Sequence, residues 1–146
     1  MEPLRFRKLD PTAILPAYAT AGSAGADLYA LPSAGAVSIA PGETACIRTG
    51  LAAAIPAGYV GLIFARSGLA CRQGVAPANK VGVIDSDYRG EWLMFLHNQS
   101  AEMRTVNPGD RVAQLVILPV QIPTILEVDA LDETVRGNGG FGSTGV

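Results

Sequence analysis

Residues 44–64 read Thr-Ala-Cys-Ile-Arg-Thr-Gly-Leu-Ala-Ala-Ala-Ile-Pro-Ala-Gly-Tyr-Val-Gly-Leu-Ile-Phe, and the parsing of this stretch decides the fold. Between Arg48 and Arg66 lies the longest uncharged interval of the chain. A membrane-spanning helix needs about 20 consecutive apolar residues. This interval barely reaches that length, and Pro56, Gly58 and Gly61 interrupt it. It therefore reads as two buried strands, with a turn at Pro56-Ala57-Gly58.

The same punctuation recurs on both sides. Apolar runs at 37–39, 44–51, 59–64, 92–96, 111–118 and 122–128 alternate with turn signals, Pro41-Gly42 and Asn107-Pro108-Gly109-Asp110 among them. With 17 glycines, 10 prolines and 16% charged residues, the chain turns often, which favours short strands over long helices. The expected class is all-β, as a sandwich, jelly roll or compact barrel, with at most one helical turn near 67–72. A chain of 146 residues, 49% apolar, is the size of one domain, and no repeat or linker argues for a second.

Charge and side-chain inventory exclude several functions. A net charge of −2 offers no basic face for a nucleic-acid polymer. The N-terminal segment Met1-Glu2-Pro3-Leu4-Arg5-Phe6-Arg7-Lys8 has no apolar stretch behind it, so it does not resemble a secretory signal, and residence in the cytoplasm is expected by default. Cys46 and Cys71 make no disulfide framework and are expected to be free core thiols. His97 is the only histidine, so no zinc-type ligand set and no credible catalytic triad can be built; it is read as structural. The sequon Asn98-Gln99-Ser100 is accidental without a secretory route. What remains is a chemistry of Asp, Arg, backbone amides and a hydrated cation.

Several segments suit that chemistry, and each has a plainer reading. The tail from Arg136 to Val146 is rich in glycine, with Ser143 and Thr144 hydroxyls; it suits wrapping an anion or merely being a flexible terminus. Phe141 within it favours the first, since a lone aromatic there needs something to stack on. The string at 137–142 matches G-x-G-x-x-G, but too few residues follow for a Rossmann helix, and no lysine follows for a Walker A loop. Residues 79–91 read as a β-hairpin whose acidic tip either orients a water or holds a cation, or simply caps its own turn. Arg66-Ser67-Gly68 opens a turn that meets a phosphate or caps a helix.

Taken in order, the segments 24–30, 66–70, 79–91, 109–115 and 136–145 resemble the five motifs of the trimeric dUTPase family. Each is weak alone, whereas the ordered set over most of the chain is specific. The resemblance implies a jelly-roll-like or β-clip subunit in a threefold homotrimer, active sites between subunits, a domain at 1–135, and an arm at 136–146 closing over a neighbour's site. It implies hydrolysis of dUTP to dUMP and pyrophosphate, which keeps uracil out of DNA and supplies dUMP for thymidylate.

By matching positions, the resemblance makes Asp85 the acid that orients water toward the α-phosphorus. It gives Asp27 a bridging Mg2+ to hold through water, as magnesium's firm hydration shell suggests. Asn79, Val83 and Ile84 would read uracil like a pairing base, with Leu93 nearby on the substrate side, and Tyr88 would lie where a 2'-hydroxyl must be excluded. Ser67, Gly68 and Gln114 would meet phosphate oxygens, and Arg66 would support the intersubunit site. Arg136, Gly142, Ser143 and Thr144 would grip the outer phosphates from the arm while Phe141 stacks on the base.

Some positions depart from the family pattern. Ala65 stands where proline often precedes Arg-Ser-Gly, and Leu93 sits where members vary. Trp92, bulkier than expected beside the hairpin, is read as packing at the trimer interface. Two alternatives remain: a dCTP deaminase relative needs a glutamate in the base pocket and a longer chain, and a non-catalytic nucleotide-binding regulator would not need Asp85.

Overall fold

The computed structural model describes residues 2–140, and within them twelve short strands and one helical turn. The strands are β1 Arg5–Lys8, β2 Ala17–Tyr18, β3 Ala26–Tyr29, β4 Val37–Ile39, β5 Thr44–Arg48 and β6 Leu51–Ala54, then β7 Tyr59–Phe64, β8 Val75–Pro77, β9 Gly82–Ile84, β10 Leu93–Asn98, β11 Arg104–Val106 and β12 Arg111–Pro119. The fold is all-β, as the turn-rich composition implies. The only helix among the described residues is a π-type turn, Gly68–Arg72, in the interval expected for one.

Two sheets dominate. A five-stranded antiparallel sheet runs β2-β3-β12-β7-β9, and a three-stranded sheet runs β5-β10-β8; β1 pairs with β6, and β4 with β11. The core between them holds Leu28, Ile39, Ile47, Ile63, Leu96 and Leu115. The 44–51 run divides at Thr49-Gly50 into β5 and β6, and Pro56-Ala57-Gly58 forms the expected turn, with the Tyr59 amide donating to the Pro56 carbonyl at 3.2 Å.

Four expectations need correction. Residues 79–91 are not a hairpin: β9 pairs with β7 and β10 with β5 and β8, so the segment crosses from one sheet to the other. Local alternation cannot reveal this, because it marks strands without naming their partners. The 122–128 run forms no strand and stays exposed, having no partner within its own chain. Both cysteines are exposed. On β5 only alternate residues face the core, and Ile47 takes the buried parity while Cys46 takes the outer one. Trp92, finally, is buried inside the subunit, meeting Phe6 edge-to-face at 5.3 Å, so its bulk fills the core of one chain. Its indole N–H has no hydrogen-bond partner among the described residues.

Asn98 is fully buried, donating to the carbonyls of Ile39 and Glu102 at 2.8 Å each and accepting from Ser100. The sequon is thus structural. His97 Nδ1 lies 3.0 Å from the Thr44 hydroxyl on the neighbouring strand, which also suits a structural role.

Candidate active site

Asp27 lies near the centre of the large sheet, on β3, and is buried. Its carboxylate accepts from Arg66 Nε at 2.7 Å through one oxygen and from Arg111 Nη1 at 3.2 Å through the other. The two guanidiniums compensate the desolvation of this carboxylate, and removing either would leave buried charge poorly matched.

Arg111 reaches Asp27 because of a β-bulge. The register between β12 and β3 shifts between Arg111 and Ala113, so Arg111 stands opposite Tyr29 while Gln114 stands opposite Asp27. In a regular strand, residues three apart point to opposite faces. The extra residue in the bulge restores Arg111 to the face of Asp27 and Gln114. Sequence reading did not single out Arg111, and period-two patterning carries no sign of a bulge.

Around this pair opens a cleft of about 450 Å³, lined by Ser23, Asp27, Arg66, Ser67, Gly68 and Gln114 among others. Ser67 and Gly68 are exposed at its wall. The Gln114 amide donates to the Ala65 carbonyl at 2.9 Å, which leaves its oxygen beside Gly25. A Cβ on Gly25 would come 3.0 Å from that oxygen, so glycine lets the Gln114 amide pack here without shifting. Two guanidiniums around one carboxylate leave the cleft with excess positive charge, and with the Ser67 hydroxyl and exposed backbone at its wall these form surroundings suited to an anion.

The 79–91 crossover carries the other expected residues. Asn79, Val83, Asp85 and Tyr88 are exposed, and Ile84 is half-buried. Its tip is held locally: the Tyr88 amide donates to the Asp85 carbonyl at 3.2 Å, and Arg89 donates to the carbonyls of Ser86 at 2.7 Å and Tyr88 at 3.0 Å. The Tyr88 ring lies over Gly90, where a Cβ would collide with the phenol hydroxyl.

These two groups do not meet within one chain. Ile84 stands opposite Gly61, the third residue of β7, so Asp85 follows toward the start of that strand, whereas Arg66 lies two residues past its last residue, Phe64. At the rise of an extended strand, Asp85 and Arg66 are separated by on the order of 20 Å. Leu93 lies exposed on β10 opposite Arg48, in the other sheet, and does not line the Asp27 cleft. Arg136 donates to the Gly139 carbonyl at 2.8 Å and does not line it either. Phe141, Gly142, Ser143 and Thr144 lie outside the described residues.

Among the described residues no group of three or more His, Cys, Asp or Glu side chains could hold a metal ion directly. Asp27 gives one hydrogen-bond site per oxygen to an arginine and retains further lone pairs, so it can accept from waters of a hydrated ion. The residues fit Mg2+ held through its hydration shell and do not supply a direct cage. No helix among the described residues is long and apolar enough to cross a membrane.

Comparison with known proteins agrees with the geometry. The dUTPase family model matches residues 12–145. The deoxyuridine 5'-triphosphate nucleotidohydrolase of Desulfitobacterium hafniense is 52% identical over 144 residues, covering 98% of this chain and 95% of that protein. Among solved structures, the dUTPase of Staphylococcus bacteriophage 80alpha with dUpNHpp superposes with a TM-score of 0.85 at 29% identity, over 100% of both chains. A substituted dUTPase from phage phi11 of S. aureus, described with a structural Mg(II) ion, gives 0.78 at 28% identity, over 88% of this chain and 98% of that one. This chain belongs to the dUTPase family.

Proposed function

We propose that the chain hydrolyses dUTP to dUMP and pyrophosphate in the cytoplasm, in active sites shared between the subunits of a homotrimer. The observation that carries this reading is the separation of its two halves: an anion-suited cleft past the last residue of β7, and an exposed carboxylate, Asp85, following the strand that pairs with Gly61–Ile63 and running toward the start of β7. A site that uses both must draw them from different copies. The chain past β12 supports association, because Ile125 is 94% and Leu131 85% exposed along a segment rich in apolar side chains. Such a stretch needs a surface to cover it. Residues 1–135 then form the domain, and 136–146 the arm that closes a neighbour's site.

In this mechanism Asp85 accepts a proton from the attacking water and aims it at the α-phosphorus. Ser67, Gly68 and Gln114 donate to phosphate oxygens, Arg66 keeps Asp27 in place, and Arg136, Gly142, Ser143 and Thr144 grip the outer phosphates. Asp27 would hold Mg2+ through its hydration shell, and the ion would supply neutralisation of phosphate charge. Asn79 with the backbone of Val83 and Ile84 reads the uracil edge, beside Leu93; cytosine presents the reverse donors and acceptors and leaves them unpaired. Phe141 stacks on the base, and Tyr88 faces the deoxyribose.

The test is pyrophosphate release with Mg2+ from dUTP, dCTP, dTTP and UTP, with Asp85→Asn alongside. Turnover of dUTP alone, lost in the variant, is expected. Binding without turnover would point to a regulator, and ammonia from dCTP to a deaminase.

A further inference from the structure

The crossover that carries Asp85 and Tyr88 is pinned at its far end by a side chain to which sequence reading gave no role. The Glu91 carboxylate accepts from Arg48 Nε at 3.1 and 3.2 Å, from Arg48 Nη2 at 3.1 Å, and from the Gly50 amide at 2.9 Å. Arg48 and Gly50 both belong to the corner between β5 and β6, which is itself firmly held. Thr49 is fully buried there, its hydroxyl donating to the Trp92 carbonyl at 2.7 Å, while the amides of Leu9 and Leu31 donate to the carbonyls of Gly50 and Arg48 at 2.7 and 2.8 Å.

Tyr88 hangs from the same point. Its hydroxyl donates to the Glu91 backbone carbonyl at 3.1 Å, and its ring covers Gly90. The carbonyl it reads therefore moves with Glu91, and Glu91 is fixed by its carboxylate on the β5–β6 corner. A yielding pocket rejects an added hydroxyl poorly, so exclusion of a 2'-hydroxyl needs a ring that cannot give way.

We propose that Glu91, anchored by Arg48 and the Gly50 amide, is a positioning residue that holds Tyr88 rigid and thereby sets the discrimination between deoxyribose and ribose nucleotides. This rests on the reading that Tyr88 faces the sugar. Glu91 touches no substrate; it acts through Tyr88.

The experiment compares kcat/KM for dUTP and UTP in the full-length protein with Glu91→Ala, Tyr88→Phe and the double variant. Glu91→Ala is expected to reduce the dUTP-to-UTP ratio about tenfold, in the range that misplacing a positioning group costs, with KM for dUTP raised more than kcat falls. Tyr88→Phe, which removes the hydroxyl tether, should reduce the ratio similarly, and the double variant no further than the worse single one. Glu91→Gln keeps an oxygen for the Gly50 amide and should recover part of the ratio. A folded Glu91→Ala protein with an unchanged ratio, or losses that add in the double variant, would overturn the proposal. If Glu91→Ala does not fold, Arg48→Met serves: a smaller loss in the same direction supports the proposal, and no change refutes it. Tyr88→Ala separates the premise from the inference, because an unchanged ratio there would remove Tyr88 from the sugar site altogether.

Discussion

Two variants that are dead for different reasons should restore each other when mixed. Asp85→Asn removes the acid proposed to orient the water but leaves the cleft intact. Ser67→Glu, at an exposed wall position, puts a carboxylate where phosphate oxygens would lie and leaves Asp85 intact. Because the cleft and Asp85 are on the order of 20 Å apart on one chain, a site that uses both, as proposed, takes them from two copies. In the proposed trimer, assembled at random, half the sites draw an intact cleft and half of those an intact Asp85, so about a quarter of the sites recover. Co-expression or denaturation and refolding of a one-to-one mixture, followed by pyrophosphate release per chain, would read this fraction directly. Turnover no greater than the sum of the two single variants would refute the shared site, as would recovery that varies linearly with mixing ratio rather than peaking near equality.

Other expectations follow from particular contacts. Trp92→Ala should cost about 3–5 kcal/mol in urea unfolding, as removal of a buried aromatic does; Trp92→Phe should cost much less, since it keeps an edge toward Phe6 and deletes the unpartnered indole N–H. Partial burial, with the Glu91 carboxylate adding to it and Arg48 opposing, raises the Cys46 thiol above its ordinary value. Less thiolate is then present at neutral pH, and alkylation of a Cys71→Ser protein by iodoacetamide at pH 7.5 should run slower than that of an unstructured cysteine peptide; an equal or faster rate contradicts the argument. Deletion of residues 136–146 should abolish most turnover while leaving the melting temperature of the protein nearly unchanged, and full activity without the arm would remove it from the proposed mechanism.

The sequence by itself carried the class and the chemistry. Short apolar runs between Pro and Gly turns, with 44–64 broken at Pro56 and Gly58, leave little room for anything but short strands, because both periodicity and turn geometry are local properties. The ordered segments around Asp27, Arg66, Asp85, Gly109 and Arg136 carried the family, since spacing along a chain survives without coordinates. What the sequence could not state is which strand pairs with which. The 79–91 segment looks like a hairpin locally, yet β9 and β10 join different sheets, because pairing is decided by distant partners competing for the same edges. The bulge at 111–113 is invisible for the same reason, and it alone turns Arg111 toward Asp27. Cys46 faces outward, Trp92 inward, and Glu91 reaches Arg48 across 43 positions of sequence, all consequences of packing that no local pattern encodes. The tertiary structure, finally, set the cleft past the last residue of β7 and Asp85 beyond the strand paired with Gly61–Ile63, since an extended chain cannot fold back on itself within a few residues.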